Sequence, residues 1–148
     1  MKISSLDNKF VNFSGSYKTE DVLRLISGYP YKNKATDGEL VESLTGVDIY
    51  SKEFSSSLPK DATYLFVYLS IITQCQEQIL KQHPELKQFD DEFDCKLHLE
   101  KGRKAQDAWF KEQLKRYAPQ LEIKPFKLNA ARLKRTYKDI EKVFNSIF

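Results

Sequence analysis

The chain has 148 residues, 41% hydrophobic and 30% charged, a balance that excludes an intrinsically disordered chain and suits one domain with its own core. Five Gly and five Pro disfavour a turn-rich β-sandwich, and two cysteines, Cys75 and Cys95, exclude a disulfide scaffold and carry no zinc-site spacing. Net charge is only +3, but residues 1–95 hold ten basic and 15 acidic side chains whereas residues 96–148 hold 14 and six, so the second half is strongly basic.

The N-terminus, Met1-Lys2-Ile3-Ser4-Ser5-Leu6-Asp7, lacks an apolar signal core, and with reduced thiols the expected location is cytoplasmic. Phe10, Val11 and Phe13 precede the turn signal Ser14-Gly15-Ser16. Residues 1–18 therefore read as an extended arm whose rings pack onto helices.

Thr19 as N-cap, Glu20 and Asp21 in the first turn and Gly28 as a stop predict a short helix that buries Val22, Leu23 and Ile26. Thr36-Asp37-Gly38-Glu39 reads as a capping box that opens a second short helix over Leu40, Val41 and Leu44, closed by Gly46. The ten-residue linker is too long for a helix-turn-helix. Residues 47–57 read as a connector with one helical turn near Ile49–Phe54.

Leu58-Pro59 marks the start of a long helix over about 60–82. Leu65, Phe66, Leu69, Ile72, Ile79 and Leu80 make one face, and Val67, Tyr68, Ile71 and Cys75 widen it until the first half is apolar nearly all round, the pattern of a central helix. Its longest apolar stretch, Ala62 to Cys75, is far shorter than the roughly 20 residues of a membrane span. His83-Pro84 ends it.

A second helical tract is expected from Pro84 to Tyr117. Leu86, Phe89, Phe93 and Leu97 form one stripe; Leu99, Gln106, Trp109, Phe110, Gln113, Leu114 and Tyr117 form another. The shift of face predicts a kink or break between Cys95 and Gly102, and Cys95-Lys96-Leu97-His98-Leu99 also fits a short strand. Pro125 fixes an extended approach to a last helix that starts near Asn129. There Leu133, Tyr137, Ile140, Phe144 and Ile147 step four and three, a short heptad seam that suits packing on the same domain and, as a second reading, a homodimer.

The whole pattern predicts an all-α fold, a single domain (1–148) with about five helices around the 60–82 helix and the arm against it. Within it, residues 1–18 are the arm, 19–46 two short helices and 59–148 three long helical tracts.

Chemistry is sparse. Asp91, Cys95 and His98 share one helical face, but a structural zinc site needs four ligands, so no metal is expected. No G-x-S-x-G, Walker loop or G-x-G-x-x-G is present, so neither an enzyme nor a cofactor is expected. The basic residues are the functional lead: Arg103, Lys104, Lys111, Lys115, Arg116, Arg132 and Arg135, with Trp109 and Tyr117 among them. These nine residues are the candidate partner-binding set. The expected function is a non-catalytic protein-interaction protein, such as an adaptor, chaperone, inhibitor or immunity-type factor, that binds an acidic partner through the basic half. The alternative is a nucleic-acid-binding accessory protein that uses the same surface.

Overall fold

The computed structural model describes residues 17–27, 34–89, 99–118 and 121–147. Among these residues the fold is all helical, with α1 (Thr19–Ser27), α2 (Lys34–Thr45), α3 (Lys52–Ser57), α4 (Tyr64–Gln82), a 3-10 segment (Pro84–Phe89), α5 (Arg103–Arg116) and α6 (Ala130–Ile147). The arm up to residue 16, Gly28 and the loop after it, the Asp91, Cys95 and His98 face and the strand reading at 95–98 all lie outside the described residues.

The first helix forms where its signals put it, and Val22, Leu23, Leu25 and Ile26 are buried. Its N-cap is different from the one expected. The Lys18 amide donates to the Asp21 carboxylate at 3.2 Å, and the Thr19 hydroxyl instead accepts from the Leu121 amide at 3.0 Å. A side chain read as a local cap is recruited by a segment about a hundred residues away.

The capping box at Thr36 is also corrected. Helix α2 already begins at Lys34, so Thr36 is inside it. Asp37 is buried and accepts from the Tyr68 hydroxyl at 2.8 Å, while Glu39 points to solvent. Gly46, at φ 78°, closes the helix as expected, with its amide donating to the Glu42 carbonyl at 2.8 Å. The helical turn expected in the connector is α3, three residues later, capped by Ser51, whose hydroxyl accepts from the Phe54 amide at 3.0 Å.

Helix α4 is central: it packs against α1, the 3-10 segment and α6. Its buried residues, Phe66, Val67, Tyr68, Ser70, Ile71, Ile72, Gln74, Cys75 and Ile79, surround most of its circumference. It starts at Tyr64, not near residue 60, because Pro59 to Ala62 close a turn (Ala62 amide to Pro59 carbonyl, 3.0 Å) and Thr63 is extended. The burial is centred on Val67, Ile71 and Cys75; Leu65 is 44% exposed and Leu69 only partly buried.

The tract after Pro84 is not one helix. Leu86 and Phe89 are fully buried from the 3-10 segment, residues 99–101 are helical, and Gly102 at φ 84° breaks the chain before α5. The expected break is therefore present, at Gly102. Leu99, expected on the buried stripe, is 83% exposed, because that turn lies on the far side of the break from Gln106 and Phe110, the buried residues of α5.

Asn129 caps α6 by accepting the Arg132 amide at 2.9 Å. The heptad seam divides: Leu133 and Tyr137 are buried against the body and Ile140 is partly buried, whereas Phe144 and Ile147 are exposed, Ile147 by 69%. Every described helix feeds one apolar core, joined by Tyr17 before α1, by Val47 and Ile49 between α2 and α3, and by Ile123 and Leu128 between α5 and α6.

Candidate interaction surface

The basic side chains divide between two helices with different supports. Helix α5 lies against α1, and α6 against α4. On α5, Phe110 inserts toward the core with the Arg24 guanidinium 5.4 Å from its ring centre, which leaves the opposite side of the helix to solvent. At about 100° per residue, Lys104, Lys111 and Lys115 fall within roughly 40° of one another on that open side. All three are exposed, and none forms an ion pair among the described residues. Arg103 and Arg116 are exposed at the two ends of the helix, Arg116 with its guanidinium 5.8 Å from the Tyr117 ring centre.

The aromatic residues of the candidate set are turned inward. Trp109 packs on Phe89 with ring centres 5.1 Å apart. Tyr117 meets the edge of the same ring at 5.8 Å, and its hydroxyl accepts from the Gln88 side-chain amide at 2.6 Å. Both rings hold α5 to the 3-10 segment. Trp109 and Tyr117 are half-buried structural contacts, which the sequence could not distinguish from exposed stacking platforms.

On α6 the basic residues separate by role. One terminal nitrogen of Arg132 donates to both carboxylate oxygens of Glu77, and Lys138 donates to Asp61 at 2.8 Å, so the two tie α6 to α4 and to the turn before it. The Lys138 ammonium holds the Asp61 carboxyl below its ordinary range. Arg135 and Lys134 are exposed without an ion pair among the described residues. Of the nine candidates, then, Arg103, Lys104, Lys111, Lys115, Arg116 and Arg135 are exposed, Arg132 is engaged internally, and Trp109 and Tyr117 are packing residues. Glu85, which could have neutralised the α5 charge, lies 3.3 Å from the His83 ring.

Among the described residues no three His, Cys, Asp or Glu side chains gather as a metal site. Cys75 is buried, and desolvation, with the Asp37 charge adding to it, pushes its thiol up to about 12, the setting of an inert sulfhydryl. No helix among the described residues is long and apolar enough to cross a membrane. Comparison with protein-family models, with curated proteins and with solved structures finds no match.

Proposed function

We propose that this chain is a non-catalytic interaction protein that docks an acidic partner protein on the solvent face of α5. The observation that carries the reading is the stripe Lys104, Lys111 and Lys115, three exposed cations on one helical face with no carboxylate bonded to them among the described residues. Charge of one sign on a rigid helix speeds encounter with an oppositely charged surface and fixes its orientation. Nucleic acid is the weaker reading, because the rings that would stack on bases, Trp109 and Tyr117, are occupied by Phe89 and Gln88. A cytoplasmic location and an adaptor-like role belong to the same proposal.

The test is a fluorescence titration of the full chain with a labelled poly-glutamate peptide and, separately, with labelled DNA and RNA, each at low and high salt. Binding of the acidic peptide that weakens with salt is expected. Failure to bind the peptide at low salt overturns the proposal, and tight binding of nucleic acid alone replaces it with the second reading.

A further inference from the structure

Helix α6 carries two apolar seams, and the body covers one of them. At about 100° per residue, Leu133, Tyr137 and Phe144 lie within roughly 40° of one another. Leu133 and Tyr137 are buried, and Phe144 turns its ring onto Phe66 with centres 5.5 Å apart. Thr136, Ile140, Val143 and Ile147 make the second seam, within roughly 60° of one another and about 70° round the helix from the first. This seam is largely open. Thr136 and Ile140 are half-buried, Val143 is 60% exposed and Ile147 is 69% exposed.

The open seam is complementary to itself. Its spacing of four, three and four reads the same in both directions. An antiparallel copy of α6, related by a two-fold axis level with the Glu141–Lys142 peptide, sets Thr136 opposite Ile147 and Ile140 opposite Val143, each pair twice. Charge obeys the same symmetry. Asp139 and Lys142 are exposed on one flank of the seam, and neither forms an ion pair among the described residues. In the antiparallel arrangement Asp139 of one copy comes within about two residues' rise, roughly 3 Å along the axis, of Lys142 of the other. A parallel arrangement would instead align the two helix dipoles. An isologous contact requires a patch of this kind, one that matches its own rotated copy. The solvent face of α5 is the contrary case, because Lys104, Lys111 and Lys115 would meet their own charges there.

We propose that a second copy of this chain docks on the open seam, α6 against α6 in antiparallel, as a reversible two-fold dimer. Four side chains per copy bury well under the roughly 1,200 Å² of a stable specific interface, so the dimer is weak and exchanges with the monomer. The proposal is independent of the lysine stripe, which lies on α5 and stays open in the dimer.

Sedimentation velocity of the full chain, from micromolar to on the order of millimolar, should show the monomer giving way to a dimer. The double variant Val143→Asp, Ile147→Asp should stay monomeric over the same range and keep the wild-type thermal melt, since both side chains are exposed. Crosslinking reads the register, in a Cys95→Ser background where the remaining thiol, Cys75, is buried. In the antiparallel dimer the two copies of residue 143 are about three residues' rise apart, roughly 4.5 Å along the axis, and those of residue 147 about eleven, roughly 16 Å. A short bismaleimide should therefore join Val143→Cys chains and leave Ile147→Cys chains monomeric. Equal crosslinking of both variants, or of neither, overturns the proposal. So does a dimer that survives in the double Asp variant. A wild-type chain that stays monomeric at millimolar concentration overturns it as well, and assigns the seam to a different partner.

Discussion

Tyr137 shows how one atom can stand against the packing around it. Its ring is 2% exposed in the contact of α6 with the body, yet its hydroxyl has no hydrogen-bond partner among the described residues. A buried donor left unmade costs about 1–3 kcal/mol, so Tyr137→Phe should leave stability unchanged or raise it by about 1 kcal/mol in denaturant unfolding. A loss of more than that would show that the hydroxyl is satisfied. Tyr68 is the opposite case, because its hydroxyl is bonded to Asp37. Burial, then the hydrogen bond and charge of Asp37, push the Tyr68 phenol well above its ordinary value. The folded chain thus keeps a proton that the unfolded chain releases near pH 10. The stabilisation from this group is complete below that pH and is lost as pH rises from there through the folded value. Melts of wild type and Tyr68→Phe between about pH 8 and 11 should show a shallower alkaline decline in the variant.

At the scale of the element, α4 and α6 illustrate what a periodicity count leaves undecided. Both carry apolar side chains on more than one face, and only the neighbouring elements select which are covered. On α4 the selected residues centre on Ile71, fully buried, and leave Leu65 at 44% exposure. Ile71→Ala should therefore cost about 2–5 kcal/mol, and Leu65→Ala within about 0.5 kcal/mol. Equal costs in urea unfolding would place the buried face elsewhere. On α6 the body covers only Leu133 and Tyr137 fully, and Phe144 reaches back to Phe66 with ring centres 5.5 Å apart. Beyond that contact the apolar strip of Val143 and Ile147 runs into solvent.

Across the whole molecule, charge is distributed so that some of it fastens the bundle and the rest faces outward. Arg132 binds α6 to α4 through Glu77, and Lys138 binds it to the turn before α4 through Asp61. Lys104, Lys111 and Lys115 fasten nothing among the described residues. Reversing these three to Glu should slow association with an acidic partner and remove its salt dependence, since steering acts on the encounter rate. The melting temperature should hold, because exposed charges away from such contacts seldom change stability by more than about 0.5 kcal/mol each. A lower melting temperature with unchanged peptide binding would assign the stripe to the fold rather than to a partner.

The helical character, the central position of α4 and the ends of α1, α2 and α4 at Ser27, Gly46 and His83 are readable from residue spacing, because turn periodicity and capping depend on neighbours within one or two turns. The division of the tract after Pro84 is readable in the same way, from a change of face and a glycine. The tertiary structure decided what local spacing cannot carry. Thr19 could cap its own helix, but its hydroxyl meets the Leu121 amide. Asp37 could open a helix, but it is buried under Tyr68. Trp109 and Tyr117 lie among cations in the sequence and against Phe89 in space. The docking of residues 121–129 has no sequence signal beyond the alternation of Leu121 and Ile123 and the proline at 125, since its partners, Gln74 and Gln82, are polar residues that differ in no way from solvent-facing ones until the chain has folded. A hydrogen bond between residues 40 to 100 positions apart depends on where the core places both ends, and only the packed molecule specifies that.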